Sequence, residues 1–196
     1  MNLIRIDLFM DHFVDVTLRG DAEFSVGQVL AAAYGRLHRA LAANDHGRIG
    51  ISFPEHHAGR RWLGPRLRIH GSWSDLSGLM DVRWLGGVSD YADVSQISGV
   101  PSTMQHRTVR RVQIDSSPER LRRRLMHRHQ IDEVSARQRI PDGLVGRLDL
   151  PWLQVHSSSS GQRFRLFIEH GPLQQAPTRG KYSTYGLSAT ATIPWF

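Results

Sequence analysis

The sequence predicts an α+β protein made of two domains, over residues 1–103 and 104–196. Two observations carry this reading. Strand-like and helix-like hydrophobic patterns alternate through the first half, and the charge of the chain changes abruptly near residue 107.

The first half begins with Met10 to Arg19, which alternates apolar and polar residues as a half-buried strand does. Ser25 to Ala43 has the helical period, with Val26, Val29, Leu30, Ala33, Leu37, Ala40 and Leu41 on one face. Arg48 to Phe53 and Arg66 to His70 read as strands, Ser72 to Met80 as a short helix and Val88 to Ile97 as a last strand. The order βαββαβ is that of a ferredoxin-like (RRM-like) domain. Gly99 to Gln105, interrupted by Pro101, reads as the linker.

The second half opens with Arg107 to Ile114, a strand or extended segment. Ser116 to His129 follows as a helix: Ser117 is a good N-cap, Pro118 suits the first helical position and Glu119 complements the helix dipole. A shorter helix spans about Asp132 to Arg139 and stops ahead of Pro141. Trp152 to Ser157 and Arg163 to Ile168 read as a hairpin joined by Ser158-Ser159-Ser160-Gly161-Gln162. Lys181 to Ser188 and the apolar end Ile193-Pro194-Trp195-Phe196 complete a smaller α/β domain.

Composition removes several classes of protein. A hydrophobic fraction of 40% and a charged fraction of 22% suit a folded domain, not a disordered chain. No apolar run reaches the roughly 18 residues of a membrane helix. The first ten residues are interrupted by Arg5 and Asp7 and do not resemble a signal peptide. With no cysteine there is no disulfide and no thiolate metal site. A cytoplasmic location is expected, with no membrane partner.

The charge is unevenly placed. Between Arg107 and Arg147 there are 11 arginines and five acids, which accounts for +6 of the chain's net +7. Of the 25 basic residues only Lys181 is lysine. A GC-rich genome explains a high arginine count, but not this clustering. Arginine offers a planar fork of donors for phosphate or the guanine edge. On the helix, Arg120, Arg123, Arg124, His127 and Arg128 follow spacings of three and four and share one side, opposite Leu121 and Leu125. A solvated face usually mixes signs, whereas this one repels itself unless an anion covers it. Arg111 and Gln113, two apart on the preceding segment, project to one side. Arg can read guanine and Gln adenine, although any exposed strand edge carries polar residues.

RNA can be cut without a metal when its own 2′-hydroxyl is the nucleophile and the protein supplies alignment and a base. Among the 11 histidines the candidate is His38, near the end of the first helix and beside its apolar stripe. The alternative is a histidine at the boundary of the core. The serine turn, with Ser159 and Ser160, offers hydroxyls for a ribose or phosphate, or is an ordinary polar loop. Phe164 is placed to stack on a base, or simply packs in the core. No phosphate loop, nucleophile elbow or HExxH motif is present, and neither Glu55-His56-His57 nor His127-Arg128-His129 has zinc-site spacing.

Several ordered blocks then narrow the choice: Met10-Asp11-His12, Gly35-Arg36-Leu37-His38, Arg48-Ile49-Gly50-Ile51-Ser52-Phe53-Pro54, residues 117–126 (SPERLRRRLM), Phe164-Arg165-Leu166-Phe167-Ile168, Tyr185-Gly186-Leu187-Ser188 and Pro194-Trp195-Phe196. From Met10 to Phe196 the chain resembles the type I-F (Csy-type) CRISPR-associated endoribonucleases, which process precursor CRISPR RNA. The resemblance implies a ferredoxin-like domain and an arginine-rich helix that enters the major groove of the repeat stem-loop. By resemblance Arg111 and Gln113 match the pair that reads the base of the stem, Arg124 and Arg128 match phosphate contacts, and Phe164 matches the aromatic stacked on the terminal base pair. His38 matches the general base, Ser157 the serine that holds the 2′-hydroxyl, and Tyr185 a positioning tyrosine. The implied products are a 5′-hydroxyl and a cyclic or 3′ phosphate end, with no metal and no cofactor. The implied partners are the repeat RNA, as precursor and as product, and subunits of the type I-F surveillance complex; the isolated chain is expected to be a monomer. Four features depart from the family pattern: His127 in place of an arginine, the loop from Ser158 to Arg163, the stretch from His56 to Arg61, and residues 1–9, which precede the family start and leave Met10 as a second candidate initiator.

Overall fold

The fold is known from a computed structural model, which describes residues 10–44, 47–57, 59–113, 118–141, 150–156 and 161–196. It is α+β, with two antiparallel sheets and, among the described residues, four α-helices. The chain divides into two compact units. One joins residues 1–111 to 150–196 and contains both sheets; the other is residues 112–149.

The first sheet is built from β1 (His12–Leu18), β2 (Gly50–Ser52), β3 (Arg66–Gly71), β4 (Ala92–Val94) and β5 (Ser98–Gly99). Its order is β2-β3-β1-β4, with β5 also paired to β1. The alternation read in Met10 to Arg19 is real: Val14, Val16 and Leu18 are buried and their neighbours are not. Between β1 and β2 runs α1 (Val26–Ala43), and between β3 and β4 runs α2 (Trp73–Asp81). Helix α1 starts where Ser25 and Gln28 form a reciprocal capping box. It ends at Asn44, whose backbone N–H and side-chain amide both donate to the Ala40 carbonyl. Its Val29, Leu30, Ala33, Tyr34 and Leu37 enter the core beside Leu67 and Ile69 of β3. Each fully buried residue of this size contributes roughly 1.5–3 kcal/mol.

The strand expected over Val88–Ile97 is shorter than the pattern suggested. Backbone bonds from Val88 N to Leu85 O and from Tyr91 N to Val88 O wind Ser89–Tyr91 into a 3₁₀ turn, leaving only Ala92–Val94 as strand. The expected linker is also partly structured. Gly99 pairs with His12, and Val100 N donates to Asp11 O at 2.8 Å.

The second sheet contains β6 (Gln105–Val112), β7 (Trp152–His156), β8 (Arg163–His170) and β9 (Thr192–Trp195), in the order β7-β8-β6-β9. The hairpin reading holds: β7 and β8 pair antiparallel from Trp152↔Phe167 to His156↔Arg163. Helix α1 packs mainly along β7, so one helix links the core residues of both sheets. The terminal Phe196 is tied to β3 through Arg68. That guanidinium pairs with Asp15 at 2.7 and 2.9 Å, donates to the Phe196 main-chain oxygen, and lies over the rings of Phe13 and Phe196.

The second unit holds α3 (Pro118–His129) and α4 (Glu133–Arg139), which pack on each other. Arg122 is buried and donates to the Ile140 carbonyl at 2.8 Å. It is thus set apart from the exposed Arg123, Arg124, His127 and Arg128 of the same helix. No helix among the described residues is long and apolar enough to cross a membrane.

Two features of the larger unit yield tests. The turn Ser183–Leu187 is closed by Gly186 N to Ser183 O at 2.7 Å and Ser183 N to Leu187 O at 2.9 Å, with Gly186 at φ +68. A Cβ at Gly186 would lie 2.7 Å from Ile51 Cγ2, in the stiff side chain of a buried β-strand residue. Gly186→Ala is therefore expected to destabilise the fold by roughly 1–3 kcal/mol, through left-handed strain and overpacking, read as a fall in Tm.

The other feature is acid sensitivity. His70 is fully buried, accepts or donates one bond to Ser52 Oγ at 2.8 Å, and is pushed from 6.5 to about 3 by burial and then by the Arg68 charge. His170 is pushed down in the same direction, by burial first and then by His56 and Arg107. Both stay neutral in the folded protein while the unfolded chain takes up protons below about pH 6.5. Their contribution is therefore complete above that pH and drains away as pH falls toward the folded values. Urea unfolding at pH 7, 6 and 5 should show falling stability, with a shallower slope for His70→Asn. A wild-type curve flat over that range would contradict the assignment.

Candidate active site

The side chains singled out by the sequence were His38, Tyr185, Arg111 and Phe164, with Ser157 and the serine turn. The first four lie in the larger unit and are brought together there, although they come from α1, the Ser183–Leu187 turn, β6 and β8. Ser157, Ser159 and Ser160 lie outside the described residues.

The His38 ring is half-buried and stacks face to face on Tyr185, with centroids 4.0 Å apart and planes 4° from parallel. Its Nδ1 lies 2.9 Å from the carbonyl oxygen of Thr184. A carbonyl can only accept, so Nδ1 carries the hydrogen and the neutral ring presents a lone pair at Nε2. The tautomer follows from the partner. A neutral imidazole held through Nδ1–H, with Nε2 unpaired by that contact, has the form a general base requires.

The turn itself is fastened on several sides. Tyr34, one helical turn before His38, donates its hydroxyl to the Tyr185 carbonyl at 2.8 Å. Complete burial, followed by the nearby Tyr185 and opposed by the Arg111 charge, raises the Tyr34 phenol well above its usual range, so it remains a donor. Ile51 N of β2 donates to the Gly186 carbonyl at 2.9 Å. Thr184 and Tyr185 thus present two consecutive carbonyls to α1, and residues four apart on α1 engage them. The role of Thr184 has no signature in sequence because a backbone oxygen is indifferent to the side chain. Tyr34 left a trace, its spacing of four from His38, but that spacing equally suits a core aromatic.

Arg111, exposed at the end of β6, places its guanidinium 5.3 Å from the Phe164 centroid and 5.6 Å from that of Tyr185. At such distances a cation–π contact at an exposed site contributes on the order of 0.5–1 kcal/mol, enough to bias an orientation. His38, Tyr185, Arg111 and Phe164 therefore form a continuous row of flat groups. Phe164 is half-buried, so it serves the core and also leaves surface free.

Gln113 is exposed, as are Arg123, Arg124, His127 and Arg128 on α3. The side chain of Arg120 lies outside the described residues. The basic face read from spacing is therefore solvent-facing wherever it is described, and the buried Arg122 lies off it. Among the described residues no group of three or more His, Asp or Glu side chains is gathered as metal ligands.

Comparison with known proteins adds to this geometry. The family model described as CRISPR-associated protein (Cas_Csy4) matches residues 13–196. A protein named CRISPR-associated endonuclease Cas6/Csy4 from Pseudomonas aeruginosa (strain UCBPP-PA14) is 48% identical over 187 residues, covering 95% of this chain and 100% of its own. A relative of the same name from Escherichia coli (strain UTI89 / UPEC) is 43% identical over 187 residues with the same coverage. The match spans both sheets and both units, and the chain belongs to the Csy4 family of CRISPR-associated proteins.

Proposed function

We propose that this chain is a metal-independent endoribonuclease that binds the CRISPR repeat stem-loop and cuts precursor CRISPR RNA at the 3′ base of the hairpin. The observation that carries the proposal is the His38 ring, held through Nδ1 by the Thr184 carbonyl with Nε2 left as the basic atom. Support also comes from the endonuclease names of relatives at 48% and 43% identity.

In the proposed reaction His38 Nε2 takes the proton of the 2′-hydroxyl beside the scissile phosphate. The resulting oxygen attacks that phosphorus, the bond to the 5′-oxygen of the next nucleotide breaks, and that oxygen takes up a proton from solvent water. The ends are a 2′,3′-cyclic phosphate, open to hydrolysis to a 3′ phosphate, and a 5′-hydroxyl. Nucleophile and base come from the RNA and an imidazole, so the scheme calls for no metal. Ser157, which immediately follows β7, is assigned to orient the 2′-hydroxyl. Tyr185 covers one face of the imidazole and restricts its swing.

Specificity is assigned to other groups. Arg111 and Gln113 read base edges at the foot of the stem, and Phe164 stacks beneath the terminal pair. Arg120, Arg123, Arg124, His127 and Arg128 grip phosphates from α3, with Ser159 and Ser160 contacting the strand near the cut. A long A-form duplex hides its major groove, but a short hairpin with an open end admits a helix. Since Arg111 touches Phe164 and Tyr185, and Tyr185 touches His38, a correctly read stem would set the scissile ribose against the base. The same contacts would keep the product bound, as expected of a cytoplasmic monomer that carries its RNA into the type I-F surveillance complex.

Two measurements test this. In buffer containing EDTA, wild type should cut a repeat hairpin with a 3′ extension, while His38→Ala slows single-turnover cleavage by about 10²–10⁴-fold and binds the hairpin almost normally. Wild type that binds the hairpin and leaves it whole would instead be a silent binding subunit. Arg111→Ala should weaken the matched stem by roughly 1–3 kcal/mol and mismatched stems much less. A uniform loss on all hairpins would make Arg111 a phosphate contact.

A further inference from the structure

The carbonyl that orients His38 belongs to a kind of peptide that can turn over. The bond from Gly186 N to Ser183 O at 2.7 Å makes residues 183–186 a β-turn. Its central peptide joins Thr184 to Tyr185, and the oxygen of that peptide lies 2.9 Å from His38 Nδ1. Types I and II of such a turn differ by a flip of the central peptide, and type II requires positive φ at the third residue. Tyr185, the third residue, does not have positive φ. A flip would bring the Tyr185 N–H to face His38 in place of the Thr184 oxygen. Nδ1 would then accept, the ring hydrogen would sit on Nε2, and the atom assigned as base would become a donor. The orientation of one peptide therefore decides whether the imidazole can take a proton at Nε2.

Two side chains hold that peptide and its neighbour. Ser183 Oγ donates to the Leu187 carbonyl at 3.0 Å, which leaves a lone pair for Tyr185 N, 3.3 Å away. The N–H and C=O of a trans peptide point opposite ways. Fixing the Tyr185 N–H on the Ser183 side therefore fixes the Thr184 oxygen on the His38 side. Tyr34 holds the next peptide. Its hydroxyl donates to the Tyr185 carbonyl at 2.8 Å, and the N–H of that same peptide donates to Ser183 O. With both ends of the Tyr185–Gly186 peptide bonded, Tyr185 is restrained from swinging to the positive φ that a flip demands. Tyr34 is 1% exposed and packs beside Phe53, with ring centroids 6.3 Å apart. Water is thus kept from taking over its bond, and losing the hydroxyl would leave the Tyr185 carbonyl without this partner.

We propose that Tyr34 and Ser183 are positioning residues for cleavage, which keep the Thr184–Tyr185 peptide unflipped and so hold His38 with its lone pair at Nε2. The inference rests on His38 being the catalytic base. Neither side chain is assigned any contact with RNA. Both act through the backbone, one from α1 and one from inside the turn. Their loss is therefore felt in the chemical step and in the state of the imidazole, while the grip on the hairpin stays as it was.

The test uses the full chain. It combines imidazole nitrogen NMR of His38 at about pH 8, above the ordinary histidine range, with single-turnover cleavage of a repeat hairpin at saturating protein. Wild type should show one tautomer, with the hydrogen on Nδ1. Tyr34→Phe keeps the buried ring, and Ser183→Ala changes an exposed position. Each should show a hydrogen on Nε2 in part of the population and cleave about tenfold more slowly, with hairpin affinity changed by less than about twofold. Tyr182→Phe is the control for stability alone: it deletes another buried hydroxyl-to-carbonyl bond, 2.7 Å to Thr192 O, and should leave tautomer and rate unchanged. In a His38→Ala background, Tyr34→Phe should slow cleavage no further. A single Nδ1–H tautomer in both variants, an undiminished effect in that background, or equal slowing by Tyr182→Phe overturns the proposal. Cleavage by His38→Ala at the wild-type rate would instead remove His38 as the base, and the tautomer spectra would still decide whether the two side chains hold the turn.

Discussion

The site depends on one hydrogen bond, from His38 Nδ1 to the Thr184 carbonyl. It selects the tautomer, aims Nε2 and joins a helix from the first third of the chain to a turn near its end. A bond to a neutral backbone carbonyl orients the ring without placing a negative charge beside it. Its precision depends on how firmly the carbonyl is held. Here the carbonyl belongs to a turn closed on itself, bonded to β2 through Gly186 and to α1 through Tyr34. Gly186 allows the left-handed backbone and the close approach of Ile51 that the arrangement needs.

From that bond a row of contacts leads outward. Tyr185 lies flat on His38, Arg111 reaches over Tyr185, and Phe164 stands on the other side of Arg111. The stacked rings of His38 and Tyr185 have few rotamers, so displacing one displaces the other. The residue proposed to read the stem and the residue proposed to deprotonate the ribose are thus separated by a single aromatic ring. Under the proposed mechanism, proximity of this kind would turn recognition into alignment, from which a metal-independent cleavage would draw much of its rate.

The arginines divide into three kinds by their surroundings. Arg68 and Arg122 are buried and structural, fastening Phe196 and Ile140 respectively. Arg48, Arg66 and Arg110 form ion pairs on the surface, of the kind that contribute little to stability. Arg111 of β6 and Arg123, Arg124 and Arg128 of α3 are exposed and form no ion pair among the described residues. These are open to a polyanion. The buried histidines work in the opposite sense: His70 and His170 are kept neutral by their surroundings and carry no positive charge toward RNA.

By itself the sequence determined the elements whose information is local. The capping box of α1, the period-two pattern of β1, the β7–β8 hairpin and the one-sided arginines of α3 are written in residues a few positions apart, and local sterics and hydrogen bonding read them directly. It also singled out His38, Arg111 and Phe164 as candidates from their positions, and resemblance then gave them roles and added Tyr185. The tertiary structure decided what the local pattern leaves open: the Thr184 carbonyl that sets the histidine tautomer, the fate of Arg122 against Arg123, and the 3₁₀ turn Ser89–Tyr91 in place of the start of the expected Val88–Ile97 strand. Backbone oxygens carry no side-chain identity, and arginines look alike until packing shows which have partners. The Thr184 carbonyl meets His38 only when segments 146 residues apart are brought together, whereas Arg122 is decided by Ile140, 18 residues away.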